Sequence, residues 1–307
     1  MEVNKCLLVN LPKWGSDSGF FVYLEFMINS IIYSLENKYF HLPIPDFDYS
    51  YNKYLQNNVF FDNYFTLTYL YKNLLRDKKI IKEKRNSQFW CDIHHNYGIC
   101  CYPHDSGKDK ELVKLYNSEY TSEIHNWYYN NRVKANEILT KYIKINDNII
   151  NKVNLIYNKL FNKDDYIIGC HIRGTDKKSH IGGDKICPTD YYKYIDYLLK
   201  KNNDKNVKIF LATDDSHYFN EFTSGYKDKV KYYDDVLRSE KNAFLDSSIK
   251  NNYKKGEDVL IDCLLLSKCD FLLKCSSAVS EFSIFYNLKL HNNSYNLQYN
   301  CINKIKL

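Results

Sequence analysis

The chain is poor in the residues that interrupt regular structure. Ten glycines and five prolines among 307 residues exclude a collagenous or a Pro/Gly-rich low-complexity chain. A hydrophobic share of 44% against 26% charged is the balance of a globular protein. The ten cysteines form no CxxC pair, so no zinc centre or other metal site is expected from spacing. Several of them lie inside apolar runs, where a free thiol acts as a small hydrophobe. The start, Met1 to Asn10, lacks the apolar core of a signal peptide or a membrane anchor, and the expectation is a soluble, cytoplasmic chain without a membrane segment. Dense Lys/Arg interleaved with aromatics is also missing: the one basic run, Lys78 to Arg85, reads as a solvated helix or loop face. No nucleic-acid partner is therefore expected despite a formal charge of +6, although a mildly basic surface suits a small anionic ligand. Arginine is the scarce cation, present only at 76, 85, 132, 173 and 238 in a chain rich in Lys, Asn, Ile and Tyr. Each surviving arginine is worth reading.

The length accommodates two α/β domains of about 150 residues each. Residues 6 to 9 read as a short buried strand, followed by a loop with Gly15 and Gly19 and an apolar helix from Phe20 to Leu35. That loop is either a ligand loop or a plain turn. Between Tyr39 and Asn130 no clean period emerges. Ser118 to Ile145 reads as a helix, and Asp147 to Phe161 as an amphipathic one, with Asn146 or Asp147 as its cap. Beyond that point short apolar runs alternate with helical patterns. Strands are expected at Tyr166–Ile172, Val207–Ala212, Val230–Tyr233 and Asp270–Leu273. Helices are expected at Tyr191–Lys201 (opened by Pro188), Ser216–Phe222, Glu257–Lys268 and Ser277–Tyr286. Strands separated by helices mean crossovers and a parallel sheet.

Ligands of such sheets sit at the carboxyl ends of the strands, so the loops starting near His171, Thr213 and Lys274 should line one crevice. The first carries Arg173, Thr175, Asp176 and Lys177, and the second the adjacent acids Asp214 and Asp215. The third carries Ser276 and Ser277 at a helix start, where hydroxyls and free N–H groups hold phosphate. Singly, each has a plainer reading: Arg173 as an interdomain ion pair, Asp214 as a helix cap, the serines as an ordinary cap.

Together, three sets of residues resemble the motifs of the α-1,6-fucosyltransferases of core N-glycan and nodulation type. They are His171-Ile172-Arg173-Gly174-Thr175-Asp176-Lys177, then Ala212-Thr213-Asp214-Asp215, then Asp262 with Leu266-Ser267-Lys268-Cys269-Asp270-Phe271-Leu272 and Cys275-Ser276-Ser277. The family belongs to a wider group with α-1,2- and protein O-fucosyltransferases, and the resemblance covers roughly residues 150 to 290. It implies an α/β, GT-B-like fold of two Rossmann-like domains facing a cleft. Residues 1–150 would form the acceptor side and 151–307 the side that binds the GDP-sugar. It further implies an inverting, metal-independent transfer of L-fucose from GDP-fucose to a glycan or other hydroxyl acceptor, with no cofactor besides this donor substrate. By match of motif, Arg173 clamps the diphosphate, His171 and Asp262 contact guanine, and Ser276 or Ser277 meets the β-phosphate. Asp176, Lys177, Tyr192, Asp214 and Asp215 fall where the family supports donor binding or turnover.

The residue types suit that chemistry. Breaking the fucose C1–O bond builds negative charge on the β-phosphate, which a guanidinium meets with two parallel hydrogen bonds and no loss of its proton. Asp262 lies in an apolar helix, where an acid needs a partner, and guanine N1–H and N2–H₂ can both donate to one carboxylate. Two departures stand out. Gly174 replaces the second arginine common in the α-1,6 enzymes, and the stretch from Lys177 to Pro188 lacks the family's glutamate. Asp184 ranks first as the base that takes the acceptor's proton, ahead of His180 and Asp176, with a solvent path or a substrate phosphate as the alternative. Other open readings are a GT-B enzyme with another nucleotide sugar, or an inactive nucleotide- or glycan-binding relative. Trp90, Trp127, Tyr128 and Tyr129 are candidates to stack on a sugar face.

Overall fold

The computed structural model describes residues 5–9, 19–37, 43–45, 63–68, 81–84, 93, 99, 101, 121–174, 186–240 and 251–297. Its first strand, β1 (Lys5–Val9), is followed by helix α1 (Phe20–Glu36), then β2 (Ile44–Pro45), β3 (Phe65–Leu67) and β4 (Ile81–Lys84). Next come α2 (Ser122–Tyr142), β5 (Ile143–Ile145), α3 (Asp147–Leu160), β6 (Asp165–Ile172), α4 (Pro188–Lys201), β7 (Asn206–Thr213) and α5 (Ser216–Tyr226). A short 3₁₀ turn, Lys227–Lys229, leads to β8 (Val230–Lys231), α6 (Asn252–Ser267), β9 (Phe271–Lys274), α7 (Ala278–Tyr286) and β10 (Ser294–Asn296).

The second half is an α/β unit. Its five strands are ordered β10-β9-β6-β7-β8 and pair in parallel throughout. The central strand β6 is buried from Ile167 to Ile172, as a strand covered on both faces must be, which is why it reads as an unbroken apolar run rather than an alternation. From β6 the chain moves outward through β7 and β8, then returns to the other side of β6 to lay down β9 and β10. The strand order reverses between β6 and β9, and the crevice at the carboxyl ends there is where an open parallel sheet binds its ligands.

The first half holds a parallel sheet ordered β2-β1-β4 and an antiparallel pair of β3 with β5. Two expectations are corrected here. The basic run is neither helix nor loop where it is described: Ile81–Lys84 is a strand at the margin of the described sheet, paired with β1. The helix expected to reach Ile145 stops at Tyr142, because Ile143-Lys144-Ile145 alternates buried and exposed and pairs with β3. Its start is set by Thr121, whose hydroxyl accepts from the Ile124 N–H. In the second half, β8 closes at Lys231 rather than Tyr233, and α6 begins at Asn252 rather than Glu257.

Helix α1 is buried around nearly its whole circumference from Phe20 to Ile32, as a helix apolar on all sides requires. It packs with α2, α6 and α7 in one hydrophobic cluster that takes residues from both ends of the chain, Leu7 to Leu290. Phe21 stacks on Phe282 at 4.6 Å between ring centroids. A second cluster, on the opposite face of the sheet, is built from β6, α4, β7 and α5. Cys170, Cys263, Cys269 and Cys275 are buried in these layers, and burial raises the thiol pKa of Cys170, Cys263 and Cys269, so these cysteines are packing groups. Among the described residues no helix is long and apolar enough to cross a membrane.

Candidate active site

At the carboxyl ends of β6 and β7 lies a cleft of about 630 Å³, its open mouth included. The end of β6 supplies His171 and Arg173, and the end of β7 supplies Thr213 and Asp214. The far wall is one face of α6: Lys255, Asp258, Val259 and Asp262 are spaced i, i+3, i+4, i+7, the repeat that places side chains one above another on a helix. Val236 and Leu237 close one side, and Val279 of α7 another.

Register brings the three sequence-predicted loops together. His171 is opposite Ala212 of β7 on one side and Lys274 of β9 on the other, so Arg173 emerges between the Asp214 loop and the serine loop. Arg173 donates from Nη1 to the Ser277 hydroxyl at 3.3 Å. Ser277 occupies the N-cap position of α7, yet its hydroxyl makes no cap bond. Ser276 accepts from Asn296 Nδ2 at 3.0 Å. His171 is buried, its carbonyl accepts from the Tyr191 hydroxyl at 2.6 Å, and its Nδ1 lies 4.0 Å from the Cys275 thiol.

The two adjacent acids divide their labour. Asp214 lines the cleft and accepts from the Gly174 N–H at 3.1 Å. Asp215 is fully buried and is the N-cap of α5, accepting from the N–H groups of His217 at 2.9 Å and Tyr218 at 3.0 Å. The capping role expected at Asp214 therefore falls one residue later. This packing also gives a physical reason for Gly174. A Cβ built there would lie 2.3 Å from Asp215 Cβ, so no side chain fits directly after Arg173 in this chain. Tyr192 is not in the cleft wall: it packs edge-on against Tyr226 at 5.3 Å, between α4 and α5, and donates to the Glu221 carbonyl at 3.4 Å.

Asp262 has the most unusual environment. It is 7% exposed, and its Oδ1 is buried with no hydrogen-bond partner. Burial raises its pKa to about 8, with Arg238 pulling the other way and Asp258 and Asp214 adding to the rise. A buried polar atom left unsatisfied costs about 1–3 kcal/mol. Such an atom in a cleft wall is a natural contact for a ligand that donates hydrogen bonds. Its neighbour Asp258 is already occupied, Oδ2 by the Leu237 N–H at 3.0 Å and Oδ1 by Lys254 at 2.8 Å.

Lys255, Asp258 and the Val236–Leu237 segment were not foreseen. The available signal was the helical spacing backward from Asp262, once Asn251 is taken as the cap that accepts from the Lys254 N–H. Asp176, Lys177, His180 and Asp184 lie outside the described residues, as do Gly15 and Trp90. Of the other aromatics, Tyr128 is buried beneath Arg132, 4.7 Å from ring centroid to guanidinium. Tyr129 is half exposed beside His291.

Comparison with known proteins finds similar structures and one matching family. Among solved structures, the fucosyltransferase NodZ from Bradyrhizobium is 15% identical, with 94% of each chain covered and a TM-score of 0.48. POFUT1 in complex with GDP is 10% identical, covering 94% of this chain and 97% of its own, with a TM-score of 0.46. An Arabidopsis thaliana FUT1 mutant in complex with GDP is 10% identical, covering 93% and 69%, with a TM-score of 0.44. No curated protein matches the sequence. The family described as alpha-(1,6)-fucosyltransferase N- and catalytic domains matches residues 118–289, which is more than half of the chain and takes in every wall of the cleft. The chain belongs to this family and is a glycosyltransferase of the fucosyltransferase kind.

Proposed function

We propose that the protein transfers L-fucose from GDP-fucose to a hydroxyl of a glycan or glycoconjugate, with inversion at C1 and without a required metal ion. The observation that carries this reading is the unpartnered, buried Asp262 carboxylate in the wall of a cleft that also holds Arg173. In the proposed complex, ionised Asp262 accepts from guanine N1–H and N2–H₂, His171 lies along the base, and Arg173, steadied by Ser277, faces the β-phosphate. As the C1–O bond breaks, charge on the leaving GDP grows beside a guanidinium that is already in place, so no reorganisation is needed at that moment. Asp214 and Asp215 hold backbone N–H groups and shape the loop that presents Arg173, and Tyr192 supports α4 and α5 from behind. Asp184 is assigned as the general base, and Asp176 and Lys177 are assigned to donor binding and turnover. The acceptor is assigned to the side formed by residues 1–150, and the donor to 151–307.

A donor panel tests this. Thermal shifts and release of free nucleotide are measured with GDP-fucose, GDP-mannose and UDP-sugars, with and without EDTA. GDP-fucose should be preferred and its turnover indifferent to EDTA. Indifference to GDP-fucose would remove the donor assignment, and strong inhibition by EDTA would return Asp214 and Asp215 to consideration as metal ligands.

The state of Asp262 gives a second expected result. With a pKa of about 8 in the empty cleft, the carboxyl must lose its proton before it can accept from guanine. GDP affinity should therefore rise as pH increases from 6 to 8 and level off above. Stability runs the other way. Between the ordinary carboxyl value of 3.8 and about 8 the folded chain keeps a proton that the unfolded chain releases, so this group makes the fold less stable as pH rises through that window. Asp262→Asn should remove the pH dependence of GDP affinity, weaken GDP binding by about 10- to 100-fold, and raise the melting temperature at pH 8. A variant that binds GDP as the parent does, with the same pH profile, would rule out this base contact.

A further inference from the structure

The cleft proposed to receive a diphosphate is lined by Asp214, Asp258 and Asp262. Asp258 is paired with Lys254 at 2.8 Å, and Arg173 is the cation that the end of β6 supplies. The loop that bears Arg173 cannot supply a second cation at the next position, because Asp215 fills the space where a side chain at 174 would begin. Among the described residues, one other cation lines the cleft. Lys255 is 8% exposed and stands on the same face of α6 as Asp262.

From these positions we infer that Lys255 is a second donor-binding residue, reading the anionic, diphosphate-bearing part of the nucleotide sugar from the α6 wall while Arg173 reads it from the β6 wall. This assignment rests on the donor reading proposed above. Seven residues of helix separate Lys255 from Asp262, about 10 Å along the axis. That span takes in a nucleotide from its base, held at Asp262, toward its phosphates. The ammonium group is a compact point charge on a flexible stem, suited to follow the phosphate as the sugar departs. The planar guanidinium of Arg173 is the fixed element of the pair.

Calorimetric titration of the full chain with guanosine, GMP and GDP separates this role from a packing role. Lys255→Met keeps the apolar stem and removes the charge. It should weaken GDP by at least about tenfold, as expected for a charge-assisted contact, weaken GMP less or equally, and leave guanosine unchanged. Lys255→Arg should recover most of the loss, and GDP affinity of Lys255→Met should fall less steeply with added salt than that of the parent. Equal weakening of guanosine and GDP, or unchanged GDP affinity, would overturn the assignment while leaving GDP as ligand. Failure of the parent chain to bind GDP at all would instead overturn the donor reading, and this assignment with it.

Discussion

Arg173→Ala should slow transfer from GDP-fucose by about 10²- to 10³-fold, the effect of removing one preorganised donor from a site of developing negative charge. The loss should fall on turnover more than on the apparent donor affinity, because the charge that the guanidinium meets is largest after the C1–O bond has begun to break. Arg173→Lys should recover little, since an ammonium lacks the two parallel N–H groups of the fork. Steady-state release of GDP, measured with saturating donor, gives the comparison. An alanine variant within about threefold of the parent would show that the leaving group is stabilised elsewhere. Ser277→Ala probes the same element more gently: with the 3.3 Å contact to Arg173 removed, a smaller loss should appear in the same parameter.

The second large effect is on stability. Glu281 of α7 is 1% exposed and binds Arg132 of α2 through Nε at 2.6 Å and Nη2 at 3.0 Å, and Lys274 of β9 at 2.8 Å. Arg132 also reaches His291 Nδ1 at 2.8 Å, and His291 Nε2 lies 3.2 Å from His125 Nε2. Burial would raise the carboxyl pKa of Glu281, but Arg132 and Lys274 hold it down to about 2. Glu281→Ala strands two buried cations, and breaking a buried pair in this way costs about 3–5 kcal/mol. For a chain of this size that corresponds to a fall in melting temperature of roughly 5–15 °C. The depressed pKa sets the acid limb as well. The contribution is complete above the ordinary carboxyl value of 4.5 and is lost as pH falls toward 2. Melting curves of Glu281→Ala and Glu281→Gln at pH 7 and pH 3 check both parts. Unchanged melting at pH 7 would show that water or a shifted side chain compensates.

The residues that could be read in the sequence share a physical character. Strands β6, β7 and β9 are buried on both faces, so they appear as continuous apolar runs, and their polar ends mark the loops that carry His171, Arg173, Asp214 and the serines. Asp262 stood out because an acid in an apolar helix is costly without a partner. What could not be read depends on contacts between distant segments. Arg132 and Glu281 are 149 residues apart, so their buried ion pair leaves no local trace in the sequence. Lys255 is hard to read because Gly256 weakens the helical signal around it, and the sequence pattern starts the helix at Glu257. Glycine is favoured at 256 despite its low helix propensity, because another part of the chain occupies the space a side chain would take.

That occupant is the aromatic pair Phe20 and Tyr64. A Cβ at position 256 would lie 2.3 Å from the Tyr64 hydroxyl oxygen and 3.0 Å from Phe20 Cε2. Tyr64 is in turn fixed, donating to the Tyr253 carbonyl at 2.9 Å and stacking on the Tyr253 ring at 5.3 Å. The three positions are therefore epistatic. With Tyr64 in this place, a side chain at 256 requires the Tyr64 ring to move, and a smaller residue at 64 would make room for it. The effect of a substitution at 256 is therefore expected to depend on the residue at 64, and an exchange of amino-terminal halves between relatives should be sensitive to that pair.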